Sequence, residues 1–511
     1  VNINNYRLSP EDVIFTIPSP SLTDTTESDA TIIGQSRAMK ALSLGLGIQA
    51  KGYNIYIQGA PGTGRRTALL KALQNYNPSR GCLQDFLYVP NYTVPTEPHI
   101  IQVPSGTGRL FKQQLHNFIE EVKKLVRLHR ESDAFKLKKS NLVAALEQQE
   151  NKTLSAFETE AATQGFQIVQ INEGETQSTD LVPIRDGIPV SFEDLQAQVA
   201  SGNLSGEEWN TLRETYYALV DKMKGLFDTL KRERLDLDRK IHELSKGMLQ
   251  PEIHQHIQAL SEAFPYEQIR SWLASMEEDI MGHLPLFYPE RLEKEAQRSH
   301  THPSALIRYG VNIIVDRSGI SAPPVIFENR PTLTNLVGTI EPPGSVTEEL
   351  RSAYLRIRAG SLIKAAGGVL VLRAEDIIQD EEAWPYLKRV LQTGIVEIQC
   401  PPNPLASPLI IKPEPIELYV KVVLIGEEST YDIMYQTDPD FQKLFKVCAE
   451  FDSTMNRNEH SQQRYAAFLH KIVEEEHLLP LNPSGISAVL EWSVRDAEHR
   501  QKLSTRFSLV V

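Results

Sequence analysis

Gly59-Ala-Pro-Gly-Thr-Gly-Arg-Arg-Thr67 is the stretch whose residue types and spacing most directly imply chemistry. Gly59, Gly62 and Gly64 permit a tight turn, through Thr63, that aims backbone amides inward, and a helix N-terminus follows at once. Loop and helix together make a site for an anion such as a phosphate group. In a working loop of this kind a lysine reaches the terminal phosphates and a hydroxyl next to it holds a magnesium ion. Here Arg65 takes the lysine position and Arg66 the hydroxyl position. A guanidinium is a good fork for phosphate, so Arg65 is compatible with anion binding. Arg66 cannot ligate a metal. Thr67 stands one residue late, turned by about 100° around the helix, and is a poor substitute.

Such a loop works with a second motif, an apolar strand ending in Asp-Glu that supports the metal and polarises water. The candidate strand, Val369-Leu-Val-Leu372, ends instead in Arg373-Ala374, with Glu375 and Asp376 directly after. Only a bulge would bring a carboxylate back, and a solvated, structural role is expected for both. Where an arginine offered by a neighbouring subunit would be sought, after Phe441-Gln-Lys-Leu-Phe445, the chain has Lys446. Ser361-Leu-Ile-Lys364 fits Ser-x-x-Lys, a pattern short enough to arise by chance and without partner motifs, so no catalytic residue is assigned. His254 and His256 are two apart on a helix and do not share a face. His300 and His302 fall in a boundary loop, and no metal site is assigned. Cys82, Cys400 and Cys448 lie far apart without pairing, which argues against a disulfide framework or zinc ribbon and fits a reducing cytoplasm.

These residues need a scaffold to hold them. Tyr53 to Gly59 reads as a buried strand and Arg65 to Gln74 as a helix. Asp85 to Pro90 reads as a second strand, at a spacing suited to the right-handed crossover of a parallel sheet. Val311–Val315, Gly368–Leu372 and Tyr419–Ile425 are further strands, the last two nearly continuous apolar runs of the kind covered on both faces. Between them, from Phe111 to about His300, the chain turns charged and helical. Phe111, Leu115, Phe118, Val122 and Leu125 have heptad spacing, and the pattern sharpens through Leu212, Tyr216, Leu219, Met223, Leu226 and Leu230. It pauses at Glu233 and resumes at Leu237, Ile241 and Leu244. An antiparallel helical hairpin is predicted, with a β tip from Gly165–Ile171 and Leu181–Ile184 and turn signals at Glu173-Gly174 and Asp186-Gly187. After Phe445–Phe451, two or three helices follow from about His460. The predicted division is an α/β domain in two parts, 1–110 and 304–455, a helical coiled-coil insertion with a small β tip at 111–303, and a helical lid at 456–511.

The 511 residues, 41% hydrophobic and 23% charged, are enough for several domains with ordinary cores. A net charge of −13 gives no global reason to bind nucleic acid or an anionic membrane. No apolar run approaches the roughly 18 to 20 residues of a membrane span, and the N-terminus lacks a signal-peptide pattern. The chain begins with Val1 and stops at Phe507-Ser-Leu-Val-Val511 inside a helical pattern, so both ends read as cuts.

Ile32–Ala38, Gly52–Arg66, Tyr309–Asp316, Pro331–Gly338 and Ile357–Gly368 together resemble the Lon-like proteases with divergent AAA+ modules, a family to which the ATPase-inactive LonC proteins belong. The resemblance covers nearly the whole chain. It implies a P-loop AAA+-type parallel sheet with a long helical insertion and a C-terminal helical lid. It also implies ATP as a possible ligand, with Gly59, Gly62, Thr63, Gly64, Arg65, Arg66 and Thr67 as the binding residues. The family assembles as a homo-oligomeric ring, usually hexameric, acts on unfolded polypeptides, and carries a Ser-Lys peptidase domain after the lid, which this chain lacks. With Arg66, Arg373 and Ala374 in place of the usual residues, the expected product is a cytoplasmic module deficient in ATP hydrolysis that shapes a ring and positions substrates. Two further readings stay open. One is a working ATPase in which Arg65 replaces the lysine and Glu375 or Asp376 the carboxylates; the other is a non-enzymatic adaptor that binds a partner through its heptads.

Overall fold

Five short strands form a parallel sheet whose three central members are buried on both faces, and this sheet positions the candidate site. The computed structural model describes residues 7, 9, 15–18, 32–74, 76, 83–173, 176–185, 187–200, 204–298, 305–341, 350–398 and 411–510. These fall into two units, one of Val1–Leu115, Tyr266–Ile269 and Ile307–Val511 and the other of His116–Pro265 and Arg270–Leu306.

In the first unit the elements that bear on the site include, in chain order, α1 (Ser36–Gly47), β1 (Ile55–Gly59), α2 (Arg65–Gln74), β2 (Gln84–Val89), β3 (His99–Pro104), β4 (Asn312–Val315), β5 (Val325–Glu328), β6 (Val369–Arg373), α3 (Ala374–Gln379), β7 (Lys421–Gly426), β8 (Val447–Phe451), α4 (Glu459–Glu475) and α5 (Pro483–Asp496). The parallel sheet has the order β8-β1-β7-β6-β5. Successive side chains of a strand point to opposite faces. Ile55, Ile57, Val369, Val371 and Val423 therefore pack with Leu42, Ala68 and Leu69 of α1 and α2 on one face. Tyr56, Leu370, Leu372, Val422 and Leu424 pack with Ala374, Leu387 and Phe441 on the other. Burying each of these larger side chains stabilises the fold by about 1.5–3 kcal/mol.

One cation lies inside this core. Lys421, at the start of β7, is 1% exposed, and its Nζ donates to the carbonyls of Gly45 (2.7 Å), Ile48 (2.5 Å) and Tyr53 (3.0 Å). The last turn of α1 and the approach to β1 are thereby tied to the central strand. Three carbonyl acceptors match the three donors of an ammonium group. Burial pushes its pKa down to about 8.

The strand expected to follow the loop helix in the parallel sheet does not join it. β2 pairs antiparallel with both β3 and β4 in a separate three-stranded sheet. Its partners lie next to it in sequence and more than two hundred residues away, so spacing alone could not show the pairing. The same sheet carries a buried anchor. Asp85, fully buried, accepts the Gly108 amide at Oδ2 (2.9 Å) and the Arg317 amide at Oδ1 (2.8 Å). One carboxylate thus holds the beginning of the helix Thr107–Glu131 and the chain after β4.

In the second unit, the helices Asp133–Thr163 and Gly206–Ala263 run antiparallel, joined by Gln149 to Glu233, Arg234 to Glu150 and Lys222 to Glu160. The strands Phe166–Glu173 and Thr176–Arg185 form an antiparallel ladder. Phe166 and Leu181 of this ladder share a core with Phe157, Ala161, Leu219 and Met223. Gly174 and Asp186 of the predicted turns lie outside the described residues. The first arm of the hairpin is not the helix with the Phe111 heptads. That helix ends at Glu131, and Ser132 caps the next one by accepting the Phe135 amide at 3.3 Å. The true first arm buries only Phe135, Phe157 and Ala161, so it has no apolar stripe to read. Along Thr107–Glu131 the buried line runs through Phe111, Leu115, Phe118 and Val122 to Val126 rather than Leu125, the drift expected of a straight helix against a seven-residue repeat.

The C-terminal segment predicted as a lid contains α4 and α5 with a short antiparallel pair, Thr454–Asn456 against Lys502–Ser504. Tyr465, Leu469, Ile486, Leu490 and Leu503 form its core together with Ile17 and Ile33. The expected C-terminal helix is a single 3-10 turn, Phe507–Leu509.

Candidate functional site

The register of the parallel sheet brings the ends of β1, β7, β6 and β5 to one edge, at Gly59, Gly426, Arg373 and Glu328. Open parallel sheets bind ligands outside the carboxyl ends of their strands. A cleft of about 440 Å³ lies there, lined by Gly62, Gly64, Arg65, Arg66 and Thr67 of the loop, Phe327 and Glu328 of β5, Arg373 at the end of β6, Glu375 after it, and Glu427 after β7.

The loop folds as its glycines allow. Gly62 has φ +87°, a left-handed backbone that side chains rarely adopt, and a Cβ there would stand 1.9 Å from Ser508 Oγ in the last turn of the lid. The Thr63 hydroxyl donates to the Ala60 carbonyl at 2.8 Å, closing the turn, and Ala68 donates to Gly64 at 2.9 Å, opening α2.

Arg65 reaches across the cleft and donates from Nη1 to the Gly426 carbonyl at 2.6 Å. Burial pulls its pKa below the ordinary arginine value, against the opposing pull of Glu375 and then Glu427. Arg66 extends its guanidinium over the Phe327 ring, 4.8 Å from the centroid. Arg373 Nε lies 3.7 Å from Asp376 on an exposed side chain. β6 pairs in unbroken register through Arg373 and α3 begins at Ala374, so the bulge that would have returned a carboxylate is absent. Glu375 nevertheless faces the cleft rather than solvent alone, its Oε1 accepting the Glu427 amide at 2.8 Å. That reach was not legible, because it depends on the first turn of α3. Tyr56 of β1 donates to the Glu427 carbonyl at 3.0 Å, and burial, followed by Glu375, raises its pKa.

Of the residues singled out in the sequence, Gly62, Gly64, Arg65, Arg66 and Thr67 line this cleft. Gly59 lies beneath, with no room for a Cβ beside Phe451, and Thr63 is buried. Arg66 and Arg373 stand where a magnesium site of this kind would have its hydroxyl and carboxylate, and Thr67, Glu328, Glu375 and Glu427 line the same cleft. Among the described residues no group of three or more His, Cys, Asp or Glu side chains could hold a metal. Lys446 lies over the Tyr53 ring at 4.9 Å. Ser361 is buried, donating to the Asn335 carbonyl at 3.2 Å, while Lys364 is exposed, so the two form no dyad. His254 Nδ1 sits 3.1 Å from Glu277. Cys448 Sγ donates to Gln58 Oε1 at 3.3 Å, and Cys82, Cys400, His300 and His302 lie outside the described residues.

Residues 321–452 match the family model of the LonB-like AAA domain. Residues 85–118 match the Lon-like LonC helical domain, and 480–511 the AAA+ ATPase lid domain of archaeal LonB. A protein of Haemophilus influenzae named as a Lon protease homolog is 23% identical over 233 residues, 42% of this chain and 37% of that protein. The chain thus spans little more than a third of that relative's length. Crystal structures of NtrX from Brucella abortus include one at 17% identity, covering 34% of this chain and 37% of that one with a TM-score of 0.24, and a complex with ATP at 16% identity, with the same coverage and a TM-score of 0.23. At these scores the likeness carries no argument. No helix among the described residues is long and apolar enough to cross a membrane.

Proposed function

The chain carries a Lon-like AAA+ module, and we propose that this module does not hydrolyse ATP. In this reading it shapes a ring and positions unfolded polypeptide for a Ser-Lys peptidase domain elsewhere in the full-length protein. One observation carries it: two arginines, Arg66 and Arg373, line the cleft at the positions where a metal-using site needs a hydroxyl and a carboxylate. Hydrolysis depends on neutralising the phosphates and positioning water, and losing one such electrostatic group commonly costs about 10²–10³ in rate. The paired helices Asp133–Thr163 and Gly206–Ala263 are the element proposed to meet substrate.

A working ATPase is favoured by one observation, the presence of Glu375 in the cleft. Steady-state phosphate release with ATP and Mg²⁺ separates the two. The expected result is turnover far below the order of 1 s⁻¹ of working enzymes; clear turnover that disappears in Gly64→Val would establish the ATPase instead.

A further inference from the structure

We propose that the cleft takes a polyphosphate chain as the metal-free anion, with Arg66 and Arg373 supplying the positive charge that a divalent cation supplies elsewhere. The proposal rests on the reading of the site as non-hydrolysing and names the form of its ligand. Each departure from a metal-using site changes the charge in one direction. Arg66 adds a cation where a neutral hydroxyl would stand, Arg373 puts a cation in place of a carboxylate, and Ala374 removes a second carboxylate. A polyphosphate without magnesium needs that compensation, and a polyphosphate with magnesium, which keeps less negative charge, is attracted by it less strongly.

The geometry leaves donors to do this. A guanidinium has five N–H groups. Arg65 spends Nη1 on the Gly426 carbonyl, which leaves others for the loop's anion. Arg66 places its guanidinium over Phe327, an arrangement that keeps in-plane N–H groups available, and among the described residues it makes no ion pair. Among the described residues Arg373 forms one ion pair, the long 3.7 Å approach to Asp376, and its side chain is exposed. The backbone of Gly62 and Gly64 and the start of α2 line the same cleft, so arginines and amides converge on one space. Three carboxylates, Glu328, Glu375 and Glu427, line the cleft with the arginines; Glu375 already has Oε1 on the Glu427 amide, and Glu375 and Glu427 both act on Arg65.

The test is calorimetric titration of this chain with ATP and, in parallel, inorganic tripolyphosphate, in EDTA and in excess Mg²⁺. Binding is expected in EDTA and should weaken by about threefold or more when Mg²⁺ claims the phosphate charge. Arg66→Gln and Arg373→Gln, both on exposed side chains, should each raise Kd in EDTA by about tenfold or more without shifting the ligand-free melting temperature. Equal affinity for the two probes would assign the site to the phosphate chain, and a preference for ATP would add the nucleoside; either supports the proposal. Binding that requires Mg²⁺, or no binding of either probe in either buffer, would overturn it. Phosphate release in the Mg²⁺ arm is a separate readout: it would sink the non-hydrolysing reading, whereas absent binding without turnover would leave that reading standing and sink only this inference.

Discussion

Arg65 donates to the carbonyl oxygen of Gly426 across 2.6 Å, joining the first turn of α2 to the end of the central strand. Position 426, which supplies the carbonyl, has no room for a side chain. A Cβ there would stand 2.1 Å from the Tyr56 hydroxyl and 2.8 Å from the Ala374 Cβ. Gly426→Ala should therefore cost about 1–3 kcal/mol through overpacking, read as a shift in urea midpoint at unchanged slope.

The same crowding limits any attempt to rebuild a hydrolytic site. Ala374 is fully buried, so Ala374→Glu should lower the thermal midpoint sharply, because both bulk and a charge enter the core. Arg66→Thr and Arg373→Asp, on exposed side chains, should stay within about 0.5 kcal/mol of the starting protein. A melt of each variant ranks them, and a stable Ala374→Glu would refute the packing argument.

Asp85 divides its two oxygens between amides 232 residues apart on one side and 23 on the other. Asparagine offers one acceptor and turns an NH₂ toward the remaining amide, so Asp85→Asn should cost about 2 kcal/mol or more. Hydrogen exchange should rise at Gly108 and Arg317 before it rises across β1 and β7. The neighbouring Arg109–Asp316 pair, with its arginine exposed, should contribute less than about 1 kcal/mol.

Lys421 makes stability depend on pH with a definite sign. Burial holds its pKa at about 8 in the folded chain, against an ordinary value near ~10.4 when unfolded. Between these the unfolded chain holds a proton that the folded chain has released, so stability rises with pH by up to about 1.4 kcal/mol per unit and is lost again as pH falls through about 8. Urea midpoints at pH values of about 7 and 9.5 should show the original protein gaining on Lys421→Met at the higher pH. A gap that closes instead contradicts the assignment.

Replacing residues 116–306 by a short Gly/Ser linker should leave one cooperative transition in the remainder, because the division between the two units falls at Leu115 and Ile307 apart from Tyr266–Ile269. The Gln102 amide loses the Gln268 side-chain acceptor, at a cost of about 1 kcal/mol. Cutting instead at 111–303 removes Phe111 and Leu115, both buried, and should cost about 2–5 kcal/mol for each. Circular dichroism melts of the two deletions make the comparison.

The loop and its two flanking elements were legible because strand, glycine turn and helix lie within one short segment; the helix runs from Arg65 to Gln74 as its pattern predicts. The apolar runs at Val369 and Lys421 likewise declared central strands. β5 went unseen, since four residues after a pair of prolines carry too little pattern. The placement of β2 and the grip of Asp85 depend on partners across the insertion, and pairing at that distance leaves no periodic trace. At the site, residue types revealed what Arg66 and Arg373 cannot do. That Arg65 would turn to Gly426, and Glu375 to the Glu427 amide, depends on how α2 and α3 begin relative to β7.

Gly62 is held to glycine by two demands of different origin: its backbone conformation and the lid residue Ser508 pressed against it. The second has nothing to do with catalysis. Once the lid rests on the loop, purifying selection at this position would act through folding even in a lineage that never turns over a nucleotide. The constraint is particular to position 62: a Cβ at Gly64 would meet nothing within 4 Å, so there the left-handed backbone alone asks for glycine.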